Sequence, residues 1–259
     1  MFNEVTVNLD KMIPDWHTAA ERIRWHIVVL MIEGQAHYVI NNEEVILSPG
    51  QILFIPLHSE RSGKNVAGQP HHKYTVLFNL SAPFKDEPDY LSRKTYFVLR
   101  VNNFEYYKHR IEKMFAELRE EQPLRYFICK GILQELLGLL GKEMRESTIA
   151  PMKLSYVKAM KDYLIDHYRE AIEIDDLARL IHRSPNYTIS IFKEVMGQSP
   201  IQYIHYLRIM EACNLLTDTD MTVSSISEHL GYYDPSYFSK TFKKFMSTSP
   251  KAFIIQSST

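Results

Sequence analysis

The sequence predicts a multidomain chain of mixed α and β class: a small N-terminal β-barrel carrying two helices, then a C-terminal all-α domain of two look-alike helical units. Three observations predict it. Short β-branched and aromatic runs fill residues 1 to about 101, the signature of many short strands. The pattern changes to helical spacing after Asn102. Finally, Phe192-Lys193-Glu194-Val195-Met196-Gly197-Gln198-Ser199-Pro200 recurs as Phe242-Lys243-Lys244-Phe245-Met246-Ser247-Thr248-Ser249-Pro250, with Phe, Lys, Met, Ser and Pro in register. At 259 residues and 45% apolar composition, the chain can build two cores and is not a disordered polymer.

In the first segment, Val5–Val7, Trp25–Ile32, Ala36–Ile40, Val45–Leu47, Ile52–Ile55, Tyr74–Leu80 and Thr95–Val101 read as strands, broken by Glu33-Gly34, Asn41-Asn42, Ser48-Pro49-Gly50 and Gly63/Gly68. Near-even spacing of short strands predicts a small barrel or jelly roll over 1–101. Residues 102–146 then read as two helices. In the first, Tyr107, Ile111, Met114, Phe115 and Leu118 recur at helical spacing; the second starts at Pro123 and carries Phe127, Ile132, Leu133, Leu136, Leu137, Leu139 and Leu140. That broad apolar surface packs on the barrel, makes a homodimer contact, or does both. Residues 147–153 are expected to be a linker.

Beyond Leu154 the pattern is helical: Leu154–Tyr168, Asp175–Ile181, Pro185–Met196, Pro200–Leu216, Val223–Leu230, Pro235–Met246 and a last turn from Pro250. Ser184-Pro185, Ser199-Pro200, Asp234-Pro235 and Ser249-Pro250 each pair a capping side chain with a proline at the first helical position, where its missing N–H costs nothing. Thr222 is a further cap. The duplicated units are helix, tight turn, helix, over about 175–196 and 223–246. Ala178 and Ser227 are small where two helices cross closely. Gly231 in the second turn accepts positive φ freely; the matching residue in the first is His182, and that turn is one residue shorter.

Bulk properties narrow the function classes. Cys129 and Cys213 are far apart and outside any Cys/His cluster, which removes a disulfide framework and a structural zinc site and suits a reducing cytosol. No leader is apparent, and the longest apolar run, Ile27–Ile32, is too short to span a bilayer, so a soluble, unprocessed protein without membrane contact is expected. Net charge is −1, and residues 152–259 hold twelve Lys+Arg against twelve Asp+Glu, although nucleic-acid binders are usually basic. The distribution offsets this: Lys240, Lys243, Lys244 and Lys251 cluster in the second copy, while acids concentrate in Asp162–Asp176 and Asp218–Asp234.

Residues 154–255 resemble the DNA-binding domain of the AraC/XylS transcription regulators. The resemblance rests on Ile226-Ser227-x-x-Leu230-Gly231-Tyr232-x-Asp234-x-Ser236-Tyr237-Phe238-Ser239-Lys240-x-Phe242-Lys243-Lys244, on the closing Ser249-Pro250-x-x-Phe253, and on Arg208-Ile209-x-x-Ala212-x-x-Leu215-Leu216 upstream. Departures are Ser227 for Ala, Ser247 for Gly, Ile254 for the closing Arg, and Thr188-Ile189-Ser190 for Leu-Ser-Arg. A connecting helix over Pro200–Leu216 would be about 25 Å long, enough with its turns to set two recognition helices about one duplex turn, ~34 Å, apart. The resemblance implies double-stranded DNA as partner, a cytoplasmic bacterial regulator, activation by default, a homodimer, and contact with RNA polymerase. On that reading Asn186, Ile189 and Ser190 in the first unit, and Ser236, Tyr237 and Lys240 in the second, face base edges. Asn suits adenine, Lys guanine, and Ile a thymine methyl. Lys193, Lys243 and Lys244 hold phosphates, while Ile191, Phe192, Phe238 and Phe242 belong to the core.

Residues 23–80, notably Glu33-Gly34 and Leu47-x-Pro49-Gly50-Gln51-Ile52-Leu53-Phe54-Ile55-Pro56, resemble the cupin barrel that many members of this family use as a sensor. Metal-using cupins carry a Glu where this chain has Ile27 and a later His where it has Arg61, so no metal or cofactor is expected. The resemblance implies a small-molecule effector, a sugar or related metabolite, held in an uncharged, polar-rimmed pocket. Arg24, His26, Tyr38, His58, Arg61 and Tyr74 are the candidate hydrogen-bonding residues, with Trp16 or Trp25 stacking on a sugar face. Two competing readings are a ligand-independent dimeric regulator and a cupin enzyme with a helical interaction tail.

Overall fold

The computed structural model describes residues 2–80 and 87–257. Residues 81–86, within the expected barrel span, and residues 1, 258 and 259 lie outside the described residues. The chain forms two compact units, 1–148 and 149–259.

The first unit holds β1 (Phe2–Lys11), β2 (His17–Arg22), β3 (His26–Glu33), β4 (Ala36–Ile40), β5 (Glu43–Leu47), β6 (Gln51–Ile55), β7 (Glu60–Asn65), β8 (His72–Leu80) and β9 (Phe97–Arg100), then α1 (Phe104–Glu117) and α2 (Arg125–Ser147). The strands form two antiparallel sheets, ordered β1-β8-β3-β6-β9 and β2-β7-β4-β5. The expected barrel is therefore a double-sheet structure that is not closed by a continuous ladder among the described residues. The larger sheet is covered on both faces. Ile27, Val29 and Met31 of β3 pack with Tyr38, Ile40 and Leu47 of the smaller sheet. Val28 and Leu30, one residue out of phase, pack with Tyr107, Ile111, Leu133, Leu136 and Leu137 of α1 and α2. Alternate side chains point to opposite faces, so double coverage explains why Ile27–Met31 is a continuous apolar run rather than an alternating one.

Three local expectations are corrected. Strands β2 and β7 are not expected from the sequence because His17–Arg22 and Glu60–Asn65 lack an apolar alternation; β2 is largely exposed, β7 is half-buried, and they pair with each other at His17↔Lys64 and Arg22↔Glu60. Helix α2 starts at Arg125 rather than Pro123 because Leu124 adopts φ 72°, outside helical space. Helix α3 begins at Pro151 rather than Leu154, so within the expected linker 147–153 Thr148–Ala150 lies between α2 and α3, and the boundary between the two units falls there.

The second unit contains α3 (Pro151–His167), α4 (Ile174–Leu180), α5 (Pro185–Met196), α6 (Pro200–Asp218), α7 (Val223–His229), α8 (Pro235–Met246) and α9 (Pro250–Ser257). It has two cores that share α6. Tyr203 and Ile204, near the start of α6, pack with Val157, Met160, Leu177, Ile191 and Phe192. Ile209, Ala212 and Leu216, toward its end, pack with Ile226, Leu230, Phe238 and Phe242. Between them Arg208, 7% exposed, donates hydrogen bonds to the carbonyls of Tyr168 (2.6 Å), Gly231 (2.9 Å) and Glu170 (2.8 Å). It satisfies carbonyls past the end of α3 and in the turn after α7, tying the halves together.

Candidate nucleic-acid interface and ligand cavity

The two helix-turn-helix units reproduce each other in geometry. In the first, Ser184 accepts from the Tyr187 N–H at 3.4 Å; in the second, Asp234 accepts from Ser236 and Tyr237 N–H groups at 2.8 and 3.2 Å. The turn after α4 closes with Arg183 N–H donating to Ala178 C=O, and that after α7 with Tyr232 N–H donating to Ser227 C=O, both at 3.0 Å. His182 (φ 52°) and Gly231 (φ 72°) take the left-handed position in these closures. Ala178 and Ser227 are buried, as a close crossing of helices requires.

The inward rows match at an offset of fifty: Thr188, Ile191 and Phe192 of α5 are buried, as are Phe238, Thr241 and Phe242 of α8. The opposite rows are presented to solvent. Asn186, Ser190 and Lys193 are exposed and Ile189 is half-buried; Ser236, Tyr237, Lys240, Lys243 and Lys244 are all exposed. The two surfaces differ in charge. Helix α8 carries three exposed lysines, whereas α5 has Lys193 next to Glu194, itself paired with Lys153 at 2.8 Å.

Tyr237 combines exposure with anchoring. Its ring is 52% exposed, while its hydroxyl lies 3.3 Å from His205 Nε2. His205 Nδ1 is in turn 3.1 Å from the Tyr232 hydroxyl. Burial, then Arg208 and Lys244, lower the His205 pKa. A neutral imidazole bridging two phenols ties α6 to the start of α8 and fixes the Tyr237 ring. Sequence reasoning missed His205, whose role exists only once α6 and α8 meet.

In the first unit, a cavity of about 400 Å³ lies against the larger sheet, lined by Asp10, Trp16, Tyr38, Arg61, Lys73 and Arg119 among others. Of the six expected ligand residues, only Tyr38 and Arg61 line it. Arg24 is exposed before β3, and His58 is exposed in the β6–β7 turn at φ 71°. His26 lies on the helix-covered face, stacked on Phe54 (5.8 Å) and Phe78 (5.3 Å), and its Nδ1 accepts from Leu57 N–H at 3.3 Å. Tyr74 is on that same face, edge-on to Phe115 at 5.7 Å. Trp16 is a lining residue and Trp25 is not.

The missed lining residues follow from strand parity. In β8, Tyr74, Val76 and Phe78 face the helices, so Lys73, Thr75 and Leu77 face the cavity. Lys73 is opposite Asp10 in the β1–β8 ladder and forms an ion pair with it. Its side chain is 1% exposed, and its ammonium also sits 4.1 Å from the centre of the Trp16 ring. Burial lowers the Lys73 pKa, opposed by the Asp10 charge. The lining is thus strongly charged, which corrects the expected uncharged pocket. Gly63 makes room: a β-carbon there would stand 2.9 Å from Trp16 and 3.1 Å from Tyr38. Among the described residues no group of three or more His, Cys, Asp or Glu is arranged to hold a metal ion, and no helix is long and apolar enough to cross a membrane.

Residues 8–137 match the family described as AraC-like ligand binding domain, and residues 177–255 the family described as helix-turn-helix domain. The chain is 31% identical over 153 residues to an uncharacterized HTH-type transcriptional regulator, YisR, of Bacillus subtilis, covering 58% of this chain and about half (52%) of that relative. It is 24% identical over 258 residues to the melibiose operon regulatory protein of Escherichia coli, covering 92% of this chain and 82% of that one. Among solved structures, the C-terminal domain of AraT, a response regulator from Geobacillus stearothermophilus, is similar with a TM-score of 0.38 at 28% identity, over 41% of this chain and 86% of that domain.

Proposed function

The chain belongs to the AraC family of transcription regulators, and on that premise we propose that it is an activator that reads a two-part DNA site and is controlled by a small polyhydroxylated effector. The observation that carries this reading is the pair of α5 and α8, whose buried rows coincide and whose opposite rows are left exposed. Asn186, Ile189 and Ser190 of α5, with Ser236, Tyr237 and Lys240 of α8, meet base edges. Lys193, Lys243 and Lys244 meet phosphates, positioning the helices without reading sequence. Helix α6 has 19 residues, hence about 28 Å of rise, a spacer suited to successive major-groove segments.

The effector binds in the cavity of the first unit. A sugar or related metabolite is supported by the polar lining and by the name of the melibiose operon relative. A homodimer is supported by the exposed Leu124, just before α2, and Tyr126 and Phe127 in its first turn, while the later apolar residues of α2 are largely absorbed by packing on the sheet.

Selection of bound sequences from a random DNA pool by the full chain tests the reading. Enrichment of a two-part site about one helical turn across is expected, with Lys240→Ala relaxing preference in one part only. Absence of enrichment by folded protein would refute it.

A further inference from the structure

The cavity of the first unit carries more positive charge than a neutral sugar requires. Arg61, Lys73 and Arg119 line it against one carboxylate, Asp10, which is committed to Lys73. Arg61 also reaches Glu21 at 3.3 Å, yet that carboxylate is 61% exposed, and a pair so solvated is weak. The Arg61 side chain is 14% exposed, and its Nε is buried without a hydrogen-bond partner, as is the Thr18 hydroxyl, which also lines the cavity. A guanidinium N–H donates and never accepts. Left unpaired in a buried place it is costly, and its natural complement is an anion with two coplanar oxygens. Arg119, exposed and with its guanidinium 3.8 Å from the centre of the Phe115 ring, adds a second cation at the solvent side.

Resting on the reading of this cavity as the effector site, we propose that the effector is a sugar acid: a polyhydroxylated compound of hexuronate or aldonate type. Its carboxylate pairs with Arg61 and Arg119. Its hydroxyls meet Thr18, Tyr38 and Asp10, and its C–H faces pack on the apolar wall of Ile27, Val29, Ile55 and Leu77. The Asp10 carboxylate, 21% exposed, disfavours a phosphate dianion in the same space and suits the single charge of a carboxylate. The volume, about 400 Å³, lies at the small end of ligand pockets.

The test titrates full-length protein with matched pairs, each a neutral sugar and its acid: glucose with glucuronate, galactose with galacturonate, arabinose with arabinonate. Tryptophan fluorescence, to which Trp16 in the cavity wall and Trp25 outside it both contribute, and the thermal midpoint are read together. In at least one pair the acid binds roughly tenfold or more tightly than the neutral partner, the gain of a charge-assisted over a neutral hydrogen bond. Arg61→Gln abolishes that preference and Arg119→Gln, at an exposed position, reduces it. The proposal is overturned if no acid binds, if the neutral member of every pair binds as well or better, or if folded Arg61→Gln keeps the preference. Occupancy of the selected DNA site, followed in the same titrations, separates the two claims. A neutral sugar that alters occupancy keeps the regulator and removes the sugar acid. An acid that binds without altering occupancy keeps the ligand and removes its control of DNA binding.

Discussion

A β-carbon on Gly231 would stand 2.0 Å from the Arg169 carbonyl oxygen, and the residue already holds φ 72°. Gly231→Ala is therefore expected to destabilise the protein by roughly 2–4 kcal/mol, from left-handed strain and overpacking together, as measured by urea unfolding. Two departures from the family pattern act in the opposite sense. Ser227 buries a hydroxyl that has no partner, and Ser247 ends α8 at φ 59°, where Gly197 ends α5. Ser227→Ala and Ser247→Gly are each expected to stabilise by about 1 kcal/mol; a loss of stability in either would show that the hydroxyl or the local backbone is satisfied differently. Acid sensitivity also has a residue-scale origin. Burial, then His58, lowers the His26 pKa to about 4, and burial, then Lys73, lowers that of His71 to about 4. Both titrate near 6.5 once unfolded. Between about pH 6.5 and 4 the unfolded chain therefore binds protons that the folded chain does not, so this contribution to stability is intact above the window and declines as pH falls through it. His26→Asn keeps an acceptor for Leu57 N–H, and unfolding across a pH series should show a shallower decline for it than for wild type.

At the scale of elements, the legible ones announced themselves by punctuation. The four steps Ser184-Pro185, Ser199-Pro200, Asp234-Pro235 and Ser249-Pro250 each opened a helix where expected, because capping and proline geometry are local. Strands β2 and β7 carry no such signal, being polar segments made into strands by pairing, β2 with β7 and β7 also with β4. The same limit applies to the cavity: parity along β8 is local, but the face of that parity covered by α1 and α2 is a tertiary fact, and so Tyr74 is a candidate from the sequence and Lys73 is not. The duplicated helices have diverged in charge rather than in shape. Helix α8 presents Lys240, Lys243 and Lys244, whereas α5 presents Lys193 beside Glu194. Each phosphate contact releases counterions and adds about 0.9 to the slope of log affinity against log salt. Lys243→Ala with Lys244→Ala should lower the slope by about 2 and Lys193→Ala by about 1, each leaving the selected DNA sequence unchanged. A change of preferred sequence in either variant would reassign that lysine to base reading.

At the scale of the whole molecule, the chain joins two units with separate cores, and control requires that their ligands interact energetically. An effector shifts DNA binding only by its differential affinity for the DNA-competent and DNA-incompetent states. Linkage then makes the effect reciprocal: if the effector changes DNA affinity by some factor, saturating DNA must change effector affinity by the same factor, typically 5- to 150-fold. The measurement is an effector titration followed by tryptophan fluorescence, with and without excess selected DNA, beside a DNA titration with and without excess effector. Equal factors greater than one identify an effector-controlled regulator, and factors of one on both sides identify a regulator that binds DNA independently of the cavity. Unequal factors mean that a third equilibrium is coupled. With Leu124 exposed just before α2 and Tyr126 and Phe127 exposed on it, that equilibrium is expected to be dimerisation, and repeating both titrations at tenfold higher protein concentration should bring the factors together as the dimer saturates.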